Sequence, residues 1–443
     1  MFMEVTEKTN AAALNDKRLW RITAAAVVLV RGLVYAGIEW CAIFPDTGAY
    51  RGYNFLRFLQ GYRENNRVPV YPLLIDGFEA VFGEGNFLPL VLLQVVLSAL
   101  SLVLLAQVLQ RIGVGSPWAQ LCVFLYASTS ATAGWDTVVQ TESLTLTGAV
   151  CFFWLMTAYL QTHRRRDLLL CVGLIFLLVF MRPQYLIFWA ILIVFCLLRY
   201  AFPDDIAERR GLLQALAALA LVGVAVLAYC AQYQRLNGVF TMSDAKIKQD
   251  LYTCVRRGYY VEFEDEELRD VLTEEAVDKG IWAVVDRGME FGDVRVKAAT
   301  GSYIRQHRAR YLLDTLHIMK VDSCNVFEGY ALPVESAPAR ALNPILRAVF
   351  DRVYVFYAFV ASAASGIVMA VQWVRRRKIP WLWAAFFSTT CSMVVTTYFA
   401  TCDEYMRTML GVLPGLYMMG AMLLQTVADA CRKRCATRKE KPQ

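Results

Sequence analysis

Long apolar runs broken by short polar segments dominate this chain, and none of the runs alternates with period two. Crossing a bilayer takes about 20 apolar residues per helix, and in lipid only helices and closed barrels satisfy their own backbone groups. Without alternation, the runs read as helices. They predict ten membrane spans, near 20–44, 87–110, 117–134, 142–162, 167–182, 184–199, 212–234, 352–374, 380–400 and 408–428. The fifth and sixth are short and separated only by Arg182-Pro183, which fits a tight hairpin or two tilted helices. The first run, Ile22 to Phe44, is too long for the core of a signal peptide and lacks a small-residue cleavage site, so it is expected to stay as a span.

The basic residues test this count. With the N-terminus inside, Lys17, Arg18 and Arg21, then Arg164-Arg165-Arg166, then Arg209-Arg210, then Arg375-Arg376-Arg377-Lys378 and finally the tail from Arg432 all fall on one side. A single miscounted helix would separate the Arg164 and Arg375 clusters. Two polar segments then lie outside. In the first, Tyr50 to Leu59 mixes aromatic and aliphatic residues with Arg, as an amphipathic helix in the membrane interface does. The second contains Glu262 to Lys279 and Ser302 to Met319, both helical in pattern. The expected fold is all-α: a polytopic bundle, both termini inside, with a small, mostly helical extracytoplasmic domain. Its parts are a membrane module over 1–234 with a first outer loop at 45–86, a polar segment over 235–351, further spans over 352–428 and a basic tail over 429–443.

Composition adds little beyond this. Of 443 residues, 57% are hydrophobic and 19% charged, against roughly a quarter charged in soluble proteins. The net charge of +7 reports orientation rather than nucleic acid. The 12 cysteines show no metal-ligand spacing. Cys254 and Cys324 share the second polar segment, where a disulfide and two thiols are both open readings. With 3 histidines and no Walker A motif, Ser/His or Cys/His nucleophilic catalysis and ATP-driven work have little support.

Charge is costly inside a span, so ionisable groups at span ends are functional candidates. Glu39 and Asp46 end the first span; Asp136 and Glu142 lie between the third and fourth; Arg182 and Gln184 between the fifth and sixth; Asp403, Glu404 and Arg407 between the ninth and tenth. All fall on the outer side. Asp46, after a Pro, reads as a helix cap or as a general base. Glu39, seven residues earlier, shares its face if the helix continues. Glu142 reads as a first-turn acid favoured by the helix dipole, as a second carboxylate facing a cavity, or as a ligand for a metal or a basic residue. Arg182, before a Pro, suits bidentate phosphate binding; Arg407 is similar unless Asp403 and Glu404 neutralise it. Arg31, inside the first span, reads as a structural residue that pairs with a carboxylate on another helix or snorkels to the interface.

These residues carry a resemblance. Asp46-Thr47-Gly48-Ala49-Tyr50 resembles the Asp-x-x-x-Tyr signature of the C-type glycosyltransferase (GT-C) superfamily. Arg67-Val68-Pro69-Val70-Tyr71-Pro72 is similar to the Arg-x-Pro-Gly-Tyr-Pro stretch of its bacterial protein-mannosyltransferase and aminoarabinose-transferase families, with Val70 in place of Gly. Thr141-Glu142-Ser143-Leu144, Arg182-Pro183-Gln184-Tyr185, and Tyr405-Met406-Arg407 with Leu413-Pro414 resemble later segments in the same order. The resemblance implies inverting transfer of a sugar from a polyprenyl-phosphate donor to an acceptor hydroxyl of a glycan, lipid or protein, at the extracytoplasmic face of the cell membrane. Asp46 would be the base, Glu142 would shape the site, and Arg182 and Arg407 would hold the lipid phosphate. Glu39, Tyr50, Arg67, Tyr71, Asp136, Gln184, Asp403 and Glu404 would line the cavity. No cofactor is implied for certain; no Asp-x-Asp follows Asp46, which leaves a divalent cation open. The rival readings are a transporter or lipid flippase, which favours internal repeats and midplane sites, and a non-catalytic scaffold with a partner-binding outer domain.

Overall fold

The computed structural model describes residues 2–36, 38–63, 67–203, 208–322, 360–375, 377–400 and 410–439. Among them the regular elements are helical, and the extended segments contribute an isolated parallel bridge between Ala42 and Val138. Helix α1 (Phe2–Ala36) is followed by α2 (Pro45–Arg51), α3 (Phe55–Gln60), α4 (Val70–Phe82), α5 (Leu88–Arg111), α6 (Trp118–Ser128), α7 (Ser130–Ala133), α8 (Glu142–Thr162), α9 (Arg165–Met181), α10 (Leu186–Ala201) and α11 (Glu208–Asn237). The chain continues through α12 (Ala245–Arg256), α13 (Glu266–Asp278), α14 (Ile281–Met289), α15 (Asp293–Gln306) and α16 (Arg308–Asp322). It ends in α17 (Val360–Arg375), α18 (Trp381–Ala400) and α19 (Leu413–Lys439).

Six helices among the described residues are long and apolar enough to cross a membrane: α1 from Asp16, α5, α8, α10 with its preceding turn, α11, and α19 with the turn before it. Helices α6, α17 and α18 are apolar but shorter, so length alone accounts for six spans rather than the expected ten. The chain is a multi-pass, all-helical membrane protein. Helix α8 is its axis, packed between α5 and α9, with Ala149, Val150, Phe152, Phe153 and Tyr159 buried.

Three expected helices break, each for a local reason. The first span stops at Ala36 rather than residue 44. Beyond it, Ala42 exchanges backbone bonds with the 137–139 segment: its N–H donates to Thr137 O (3.3 Å) and its O accepts from Val139 N–H (3.1 Å). Phe44, placed before Pro45, is extended at φ −105°, ψ 165°, as sterics before proline require. The stretch expected as one interface helix is two, because the Asn54 side chain accepts from Arg57 N–H (3.0 Å) and starts α3 afresh. The third span ends early at Thr129, extended at ψ 131°, and the chain passes through α7 and a tight 3-10 turn at Gly134–Thr137 before α8.

Helices α12–α16 enclose a second apolar core around Leu251, Cys254, Tyr259, Leu268, Leu272 and Val285. It is tied to the bundle where Tyr233 of α11 donates to Asp293 (3.0 Å). Cys254 lies in that core; Cys324 is outside the described residues, so the disulfide expectation falls there too.

Candidate functional site

Four charged residues gather at one end of the bundle from two arms of the chain. On the first arm, Pro45 opens α2 at its first helical position, where its missing N–H is no loss. Phe44 holds the N-cap position, so Asp46 sits in the first helical turn rather than capping it. Thr47, 1% exposed, fixes this turn: its Oγ1 accepts from Phe44 N–H (3.1 Å) and donates to Val139 O (3.1 Å). Asp46 Oδ1 accepts from Arg67 Nη2 at 2.6 Å, with side chains 29% and 24% exposed. Arg67 also stands 5.0 Å over the Tyr50 ring, and its backbone O accepts from Tyr229 of α11 (3.0 Å).

On the second arm, the 134–141 segment leads into α8, whose first residue is Glu142. Arg182 ends α9 extended (φ −155°, ψ 111°), because Pro183 bars the helical region and opens a 3-10 turn at Pro183–Tyr185. That geometry turns its guanidinium to Glu142, 3.1 Å away, with side chains 16% and 0% exposed.

One apolar patch joins the arms. Tyr50, four residues after Asp46, Tyr71, four after Arg67, Val139, Leu144 and Met181 are buried in a common cluster. The rings of Tyr50 and Tyr71 meet edge to face at 5.1 Å. Burial pushes the Tyr71 phenol well above its usual range, and Tyr50 and Glu142 add to the shift.

Exposure sorts the expected site residues into two layers. Asp46, Arg67 and Arg182 reach the surface. Tyr71, Asp136 and Glu142 are 0%, 1% and 0% exposed and form the layer beneath. Asp136, expected to line the cavity, faces inward: its Oδ2 accepts from Arg31 (3.0 Å) and Tyr35 (2.7 Å) and its Oδ1 from Ser143 (2.5 Å). Arg31 is thereby the structural partner it was expected to be. Glu39 is exposed on the link between α1 and α2, and shares no helix with Asp46 because α1 has already ended. Gln184 is half-buried, close enough to Gly411 that a Cβ there would stand 3.3 Å from its Nε2. Asp403, Glu404 and Arg407 lie outside the described residues. Among the described residues, no three His, Cys, Asp or Glu side chains gather as metal ligands would.

Three contributors were not singled out from sequence: Gln94, Ser98 and Thr47. The first two had a signal. Gln94, Ser98 and Ser101 recur at i, i+4 and i+7 in an otherwise apolar run, a polar stripe on one helix face, and all three are buried.

No protein-family model and no curated protein matches the chain. Solved structures do. The archaeal oligosaccharyltransferase AglB from Archaeoglobus fulgidus, in complex with an inhibitory peptide and a dolichol-phosphate, is similar at 12% identity over 96% of this chain and 52% of that one, TM-score 0.46. The Archaeoglobus fulgidus oligosaccharyltransferase tethered with an acceptor peptide through a disulfide bond is similar at 12% identity over 94% and 50%, TM-score 0.47. The chain spans about half the length of these structures.

Proposed function

We propose that the chain is an integral membrane glycosyltransferase of the GT-C type. It moves a sugar from a polyprenyl-phosphate donor to an acceptor hydroxyl at the extracytoplasmic face. The observation that carries this reading is the pair of acid–guanidinium contacts, Asp46–Arg67 and Arg182–Glu142, held around one patch with Asp46, Arg67 and Arg182 partly exposed.

The chemistry follows from those exposures. Asp46 takes the proton of the acceptor hydroxyl as its oxygen attacks the anomeric carbon. The bond from that carbon to the phosphate oxygen breaks, and the polyprenyl phosphate departs carrying the electron pair. Arg67 holds the Asp46 carboxylate aimed before the acceptor arrives. Arg182 meets the charge developing on the departing phosphate, where preorganised electrostatics are most effective. Glu142, with no exposed surface, orients that guanidinium from below rather than attacking. A single displacement with Asp46 as the base inverts the anomeric centre.

The test supplies labelled polyprenyl-phosphate sugars to membranes carrying the wild type or Asp46→Asn. Transfer by the wild type alone is expected, a loss of about 10²–10⁴-fold on removal of the base. Equal transfer by both would remove Asp46 from the mechanism.

A further inference from the structure

The geometry points to Gln94 as a positioning residue that sets the two arms of the site in register. Gln94 lies on the membrane helix α5 with 0% exposure. Its Oε1 accepts from the Tyr71 hydroxyl at 2.9 Å. Its Nε2 donates to Asp136 O at 3.1 Å and to Val138 O at 2.8 Å. Two carbonyls can only accept, so the orientation of the amide is fixed by its partners. Three of its hydrogen-bonding positions are thus committed, none of them within its own helix.

The partners belong to different arms. Tyr71, in the first turn of α4, is four residues beyond Arg67, the partner of Asp46. Asp136 and Val138 belong to the segment that delivers Glu142, the partner of Arg182. One buried side chain therefore spans from the base half of the site to the phosphate half, touching neither substrate group itself.

The same helix repeats the device one turn on. Ser98 accepts from Arg31 (2.8 Å), which binds the Asp136 carboxylate (3.0 Å), so this residue is held by its backbone from Gln94 and by its side chain from Arg31. Ser143, next to Glu142, donates to the same carboxylate (2.5 Å). A rigid helix that fixes both arms confines their separation, on which a reaction needing base and phosphate clamp at once depends steeply.

This inference rests on the proposed transferase reading for its catalytic consequence, and on the hydrogen bonds alone for its structural one. The test uses the full chain in nanodiscs, as wild type, Gln94→Met and Tyr71→Phe. Methionine keeps the length and loses all three bonds; phenylalanine loses one. Two quantities are read: backbone hydrogen exchange by segment, and kcat and KM for the labelled donor. Gln94→Met is expected to speed exchange about tenfold in both 67–73 and 134–141, leaving the 162–166 turn at the far end of α8 unchanged. Tyr71→Phe opens 67–73 alone. In both variants kcat falls tenfold or more with KM for the donor unchanged. Uniform change along the bundle, or none in either arm, overturns the proposal, as does normal kcat in a folded Gln94→Met protein. If Gln94→Met does not fold, Tyr71→Phe decides by the same criteria. If the wild type transfers nothing, the transferase reading fails, while the exchange pattern still settles whether Gln94 couples the arms.

Discussion

The Arg182–Glu142 pair is unequal in burial, and that inequality predicts an asymmetry in mutational cost. Replacing Glu142 by Gln leaves a guanidinium that is 16% exposed, which water partly solvates. Replacing Arg182 by Met leaves a carboxylate with 0% exposure and without this guanidinium. Breaking a buried pair from one side costs about 3–5 kcal/mol. A ceiling applies, because a stranded carboxyl can take up a proton instead; from an ordinary pKa near 4.3 to pH 7 that costs about 4 kcal/mol. Arg182→Met is therefore expected to lose about 3–4 kcal/mol and Glu142→Gln about 1–2 kcal/mol, where solvation and the neutral amide soften the loss. The double variant, with no charge left, should recover to within about 1–2 kcal/mol of wild type. Denaturant unfolding in detergent, followed by tryptophan fluorescence, reads all four proteins. Equal single costs, or a double variant as unstable as the sum of the two, would refute the claim that Glu142 is the deeply desolvated partner.

Other outcomes follow from the same geometry. Thr47→Val removes a buried hydroxyl that serves both Phe44 N–H and Val139 O; it should cost about 1–3 kcal/mol in the same unfolding assay and lower transfer by freeing the turn that bears Asp46. Gly411→Ala would set a Cβ 2.7 Å from both Met393 Cε and the Tyr185 hydroxyl; the methionine tip can yield, but Tyr185 is bonded to Thr145 O (3.1 Å), so a loss of about 1–3 kcal/mol is expected in thermal unfolding. At the edge of the second core, the Arg295 guanidinium, aided by Leu268 N–H, holds the Asp265 carboxyl below its ordinary range against the opposing effect of burial. Because the folded value is the depressed one, this stabilisation is present above about pH 3.9 and fades as pH falls below it. The protection of α13 against exchange, taken relative to the intrinsic rate at each pH, should therefore fall on acidification from pH 5 to pH 3 in the wild type. It should change less in Asp265→Ala, which forfeits about 1 kcal/mol of capping at pH 7.

The helical architecture was legible because it is written in composition over long windows. Long apolar runs have few alternatives, and α5, α8, α9, α10 and α11 begin and end within a few residues of expectation. The candidate site was legible as residue types at span ends: Asp46, Glu142 and Arg182 were named from their positions, and two of the three, Glu142 and Arg182, stand 3.1 Å apart. What the sequence hid was which of them face inward. Asp136 and Glu142 look alike in the sequence, six residues apart, yet one is spent on Arg31 and the other on Arg182. That choice depends on which helix stands opposite, a tertiary fact that no local pattern encodes. The broken ends of α1 and α6 were hidden for the same reason, since apolar content does not say where a chain leaves its helix to pair with a distant segment.

The breaks and the site have one cause. A continuous helix bonds its own backbone and offers a neighbour only side chains. Where α1 and α6 stop short, carbonyls and N–H groups become available at 42 and 136–139, and partners from elsewhere take them: Val139 for Ala42, Gln94 for Asp136 and Val138, Thr47 for Val139. Such bonds fix position more tightly than apolar contact can, because they are directional. They cluster beneath Asp46, Arg67 and Arg182, which themselves keep a surface. The arrangement is that of a candidate site braced from beneath by buried polar groups, with Asp46, Arg67 and Arg182 left partly exposed.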